Sequence, residues 1–205
     1  MSMTTTQPPD GMMVPDAVPP ATGAAVVRMN RGGFHARLRA ATREQHDGVD
    51  ALFGRFDLTS AESYANFLTA HAMALVPLED WVNLGGLIDQ WVGRKVALYE
   101  DLAALGRSFP SFETIAWLRD PASRWGAAYV IEGSRLGGAM LSRRVGEGLP
   151  RAYLSSAHPP GAWRAFLRRL DAQAEQGGEA FRGRAILAAE DAFALYAQAA
   201  RRMGA

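Results

Sequence analysis

Cysteine is absent from all 205 residues, which excludes disulfides, thiolate metal ligands, iron–sulfur clusters and a cysteine nucleophile together. Lysine is nearly absent: Lys95 is the only one among 22 basic residues. Arginine therefore carries the positive charge, and its planar guanidinium suits carboxylate partners. Neither sign of charge dominates, since the formal net charge is +1, so nothing draws the chain electrostatically to nucleic acid or an anionic membrane. No apolar run approaches the roughly 20 residues of a membrane-spanning helix. The opening stretch MSMTTTQPPDGMMVPDAVPPATGAA has neither the basic n-region nor the apolar h-region of a signal peptide. The expectation is a cytoplasmic protein without nucleic-acid or membrane partners.

Period-two alternation bounded by hairpin turns is also missing. What is present is helical. Residues 1–32, rich in Pro, Thr, Gly and Met without periodicity, read as a disordered tail. From 33 to 205 apolar residues recur at three- and four-residue steps, which predicts an all-α, single-domain helical bundle. Leu38, Ala41, Gln45, Val49 and Leu52 should form the inner face of the first helix. A second should start at Thr59 or Ser60 and be kinked or bounded by Pro77. RKVALYEDLAAL predicts a third helix closed by Gly106, and a short one is expected within FPSFETIAWLRD. A long helix from about Ala122 to Val145, a loop from Ser155 to Gly161, and two helices separated by Gly177–Gly178 complete the pattern.

Two segments carry chemistry. In LRAATREQHDGVDALF, Arg39, Thr42 and Arg43 precede His46 on one helix face, and Val49 and Phe53 follow it. The imidazole sits between a basic end and an apolar end, as an amphiphilic planar ligand would require, and neutral imidazole is a good axial ligand for haem iron. A single histidine at the edge of an apolar face is, however, more often a satisfied polar residue. His71 has neighbours that speak only of helix packing, and His35 and His158 lie in or next to loop-like sequence.

The other segment, YVIEGSRLGGAMLSRRV, reads as a buried helix interrupted by Gly133, Gly137 and Gly138. Each interior glycine costs about 1 kcal/mol against alanine, so a compensating gain is expected. Gly133 and Gly137 share a face. They could allow a neighbouring helix to approach closely, or a flat ligand to lie on the backbone at a kink with room for a diatomic molecule. Spacing leaves both open. No strand precedes these glycines, so they are not a dinucleotide or phosphate-binding loop.

Taken together and in this order, the two segments resemble the haem oxygenase family, in particular the bacterial members that supply biliverdin to bacteriophytochromes. LRAATREQHDGVDALF is similar to the family's proximal helix and YVIEGSRLGGAML to its distal helix. YEDLAALG and AAEDAFALY also match. The likeness spans about Leu38 to Ala200. It implies a haem oxygenase-like bundle with haem b as both substrate and prosthetic group, and His46 as the axial iron ligand. Gly133 and Gly137 would lie over the opposite haem face, with Gly138 beside them. Arg39, Arg164 and Arg168 would meet the propionates, while Phe193 and Tyr196 would line the pocket. Mammalian members carry an aspartate after the first distal glycine, where this chain has Ser134. Bacterial members also lack it, so its absence does not remove activity; Gly133, Ser134 and Gly137 are the expected catalytic positions, with Ser134, ordered waters or backbone carbonyls exposed at the kink as the candidates for proton delivery.

The resemblance further implies oxidative cleavage of haem to biliverdin with release of carbon monoxide and ferrous iron. Dioxygen is consumed, and no flavin or nicotinamide site is recognisable, so electrons would come from a separate ferredoxin or reductase. A bacteriophytochrome is the implied biliverdin acceptor. The competing reading is a haem carrier or sensor that binds without degrading. A thiaminase-like relative is a further rival, weakened because its cysteine nucleophile cannot exist here.

Overall fold

The computed structural model describes residues 32–205 except 89, 90, 113 and 118. The expected tail, apart from its last residue, lies outside the described residues. Gly33–Ala205 packs as one unit. Among the described residues there is helix and no strand, in the order α1 (Phe34–Ala41), α2 (Arg43–Phe53), α3 (Ala61–Val82), α4 (Lys95–Ala104), α5 (Pro121–Leu141), α6 (Ala152–Ser155) and α7 (Ala162–Arg202). Single 3-10 turns stand at Leu84–Gly86 and Ser142–Arg144.

Local chemistry explains the starts. Ser60 is extended and its side chain accepts from the Ser63 N–H, setting the first turn of α3. Asp120 accepts from the Ala122 and Ser123 amides at 2.8 and 3.2 Å, and Pro121 occupies the first helical position of α5. The Asp101 carboxylate receives the Ala152 and Tyr153 amides. A one-turn helix thus forms where sequence periodicity predicts only the approach to a loop.

Core helix α3 is apolar nearly all round, with Tyr64, Phe67, Leu68, Leu75 and Leu78 buried. Each large side chain of this kind contributes about 1.5–3 kcal/mol by leaving water. α7 is the spine against which α1, α2, α3 and α5 pack. It crosses α5 so closely that a Cβ on Gly126 would strike the Ala185 backbone.

Four expectations need correction. The first helix is two: Thr42, buried with its hydroxyl bonded to the Leu38 carbonyl at 2.9 Å, breaks it, and Ala41 is consequently exposed. Pro77 neither ends nor bounds α3, which runs on to Val82. The described residues of FPSFETIAWLRD form no helix. The long helix ends in a 3-10 turn before Val145. Gly178, at φ 62°, ψ −156°, does interrupt α7 where the glycine pair predicts a break.

Candidate haem site

His46 projects from α2 with its side chain 58% exposed. Its Nδ1 lies 3.3 Å from Asp50 Oδ2, one turn along, and 3.7 Å from Asp47 Oδ1. A carboxylate this near Nδ1 favours the tautomer with its proton on Nδ1, which keeps the lone pair on Nε2. The imidazole also meets the edge of Phe193 from α7, with centroids 5.8 Å apart. The break at Thr42 divides the single basic-to-apolar stripe: Arg39 belongs to α1 and His46 to α2. Thr42 and Phe53 are buried, whereas Arg39 and Arg43 are exposed.

On α5 the three glycines separate by role. A Cβ on Gly138 would meet the Leu154 carbonyl oxygen at 3.0 Å, so this glycine serves the close approach of α5 to α6. A Cβ on Gly133 would meet only the Trp163 ring, at 3.8 Å, and one on Gly137 would meet nothing within 4 Å. Leu136 and Met140, on the same face, are 51% and 70% exposed. Small and apolar residues thus form an uncovered stripe along α5.

α7 links the two helices. Phe193 touches His46. Tyr196, one turn on, is buried with its hydroxyl next to Ser134 but closing no hydrogen bond. Ser134 is already engaged: its hydroxyl donates to the Ile131 carbonyl at 2.7 Å and accepts from the Arg94 guanidinium at 2.7 Å. Burial raises the Tyr196 pKa far above that of a free phenol. Arg39 reaches the same region from α1. Its charge opposes the burial that raises the Tyr129 pKa, and Tyr129 lies one turn before Gly133. Arg164 and Arg168 are on the exposed side of α7, in the segment that carries Trp163.

Behind the stripe lies a buried polar layer that sequence reasoning missed. Arg94 donates to the Ile131 carbonyl at 2.8 Å besides Ser134, its backbone amide donates to Glu79, and its guanidinium lies over the Tyr153 ring. Glu132 accepts from Trp91 Nε1 at 3.0 Å, Arg135 Nε at 3.2 Å and His158 Nε2 at 2.9 Å. Burial pushes the Glu132 carboxyl up, but His158, the Arg135 charge and Trp91 outweigh it and hold the pKa below the usual range. For Glu79 burial prevails over its bond from the Arg94 amide, and the net shift is up. His71 is buried with Nδ1 2.8 Å from the Tyr153 hydroxyl, and burial, aided by the Arg94 charge, lowers its pKa to about 3. The i, i+3 pair Glu132–Arg135, charges on an otherwise apolar helix face, was a legible signal. Nothing comparable marks Glu79 or Arg94. A separate cavity of about 560 Å³ shares Glu79 with this layer but none of His46, Gly133 or Gly137.

No family model matches the chain. A heme oxygenase of Xanthomonas campestris pv. campestris (strain 8004) is 37% identical over 151 residues, covering 66% of this chain and 87% of the relative. The chain belongs to the haem oxygenase family. Crystal structures of the NO- and CO-bound heme oxygenase from Neisseria meningitidis share its architecture, with a TM-score of 0.72 and 27% identity over 84% of this chain and 92% of that one.

The donor set fits the haem of a haem oxygenase. Among the described residues no three His, Asp or Glu side chains gather to hold a metal. An exposed imidazole suits a metal whose other ligands come with it, as in a macrocycle. α2 and α5 each pack on α7 but not broadly on each other. Among the described residues no helix is long and apolar enough to cross a membrane.

Proposed function

We propose that this protein is a haem oxygenase that binds haem b between α2 and α5 and opens the ring oxidatively to biliverdin, releasing carbon monoxide and ferrous iron. The uncovered stripe of α5 carries this reading. Gly133 and Gly137 forgo helix stability with little or nothing packed on them, and exposed Leu136 and Met140 extend the stripe. A tetrapyrrole face would cover it.

His46 would hold the iron through Nε2, with the Asp50 carboxylate 3.3 Å from the other ring nitrogen. Arg39 on α1, with Arg164 and Arg168 on α7, supplies guanidinium groups for the propionates. Phe193 packs beside the imidazole and Tyr196 closes the pocket near Ser134. Haem, once bound, supplies the iron at which dioxygen is reduced and the meso carbon that is oxidised.

The residues of α5 govern what surrounds that reaction. Without side chains, Gly133 and Gly137 let the backbone come close and exclude bulk water. Ser134 Oγ is held in place by Arg94, with its own proton on the Ile131 carbonyl. The Tyr196 hydroxyl, kept neutral by burial and lacking a fixed acceptor, is available at the same end as a hydrogen-bond donor. Electrons come from a separate ferredoxin or reductase, and a bacteriophytochrome is the biliverdin acceptor that the resembled bacterial enzymes imply. A cytoplasmic setting, where such donors are found, suits this chemistry.

Hemin titration followed by ascorbate under air tests the proposal. Loss of the haem spectrum with a rising bilin band is expected for the wild type. His46→Ala should abolish the histidine-ligated spectrum and turnover. A bound, stable haem spectrum in the wild type would instead establish a carrier.

A further inference from the structure

The stripe on α5 is closed at one end and open at the other. Gly137 faces empty space next to exposed Met140, whereas Gly133 faces the Trp163 ring. That indole is held on three sides: it stacks on Phe166 at 5.5 Å and 15°, and tilts against Tyr129 and His158, each at 5.8 Å. His158 is in turn fixed by Glu132, the residue next to Gly133, whose carboxylate also binds Trp91 and Arg135. The wall is therefore registered to the glycine through a buried ion cluster on the same helix, and it cannot drift far relative to the stripe. Arg39 acts on Tyr129 at this end as well.

A flat ligand on such a surface can shift toward Met140 but not past Trp163. We infer, on the basis of the haem oxygenase reading, that Trp163 determines specificity. It stops the tetrapyrrole against Gly133, fixes its in-plane seating and so selects which meso carbon is opened. His158 and Glu132 are positioning residues that hold the indole.

Two readouts test this: the haem-methyl proton NMR pattern of the hemin–cyanide complex, which reports seating without turnover, and the biliverdin isomer distribution. Trp163→Ala should give a second set of methyl resonances and raise the minor isomers' share about fivefold, what about 1 kcal/mol between two seatings would produce. Trp163→Phe should restore the wild-type pattern. Trp163→Leu reads the same way as the alanine variant if the latter folds poorly. Glu132→Gln should broaden the methyl pattern in the same direction by a smaller amount. Wild-type methyl patterns and isomer ratios in both Trp163→Ala and Trp163→Leu would overturn the inference alone. Failure of the wild type to bind or cleave hemin would overturn the haem oxygenase reading, and this inference with it, before any variant is made.

Discussion

The two helices that would sandwich the ligand are held in opposite ways. α2 presents His46 almost in the open, steadied by Asp50 one turn away and by the edge of Phe193. α5 presents backbone, and behind it Arg94, Glu132, Arg135 and His158 form a buried polar layer with long-range hydrogen bonds to other elements. A metal ligand needs one lone pair aimed outward, which local helix geometry can provide. A bare backbone surface needs the whole helix fixed in place, because it has no side chain of its own to adjust. The difference predicts where stability and function part company.

The largest expected effect is on the α5 side. Arg94→Leu removes the donor shared by Ser134 and the Ile131 carbonyl and leaves buried Glu79 with Arg135 alone as a nearby cation. Breaking a buried charged cluster from one side costs about 3–5 kcal/mol, to be read from denaturant unfolding. A loss under 1 kcal/mol would mean that the layer does not brace α5.

This asymmetry also decides what the sequence could reveal. His46, Gly133 and Gly137 were legible because each violates a local rule: a basic and an apolar end on one face, or glycines where a helix wants alanine. Helix starts at Ser60 and Asp120, and the interruption at Gly178, follow from nearest-neighbour chemistry. Arg94 and Glu79 did not stand out, since their partners lie far along the chain and no spacing connects them. Thr42 looked like any polar residue in a helix, although its back-bond to Leu38 splits the helix and changes which faces are buried. Gly138 was indistinguishable from Gly137 until Leu154 was placed.

Acid should expose the same layer. With the folded pKa of His71 lowered to about 3 by burial, the unfolded chain binds a proton that the folded one refuses between pH 6.5 and 3. The contribution of His71 is therefore complete above about pH 6.5 and is lost as pH falls toward 3. Glu132, lowered in the fold, adds to this acid sensitivity, while Glu79 and Asp101, raised by burial, oppose it. His71→Gln should flatten the pH dependence of unfolding by up to about one proton in this window. An unchanged slope would place a protonated His71 in the folded protein.

Adjacent glycines sharpen the comparison at a smaller scale. Gly138→Ala should destabilise by about 1–3 kcal/mol, because the new methyl group meets a backbone carbonyl that cannot yield easily. Gly137→Ala should stabilise the free protein by about 1 kcal/mol through helix propensity, while weakening hemin binding about tenfold by occupying the slot. Tighter hemin binding by Gly137→Ala would show that the stripe is not the haem face.

The smallest effect on stability belongs to α2. Asp50→Asn removes an exposed partner 3.3 Å from His46 Nδ1; exposed pairs of this kind contribute a few tenths of a kcal/mol, so the melting temperature should hardly move. The bound state should respond more strongly. A neutral amide orients the imidazole less firmly and makes Nε2 a weaker base, and losing such an outer partner typically costs about tenfold or more in metal affinity. Hemin titration of Asp50→Asn should therefore show weaker binding and a shifted axial-ligand spectrum at wild-type stability, the reverse of the Arg94→Leu pattern. Unchanged affinity and spectrum would mean that Asp50 merely neighbours His46 and that the ring is oriented by Phe193 alone.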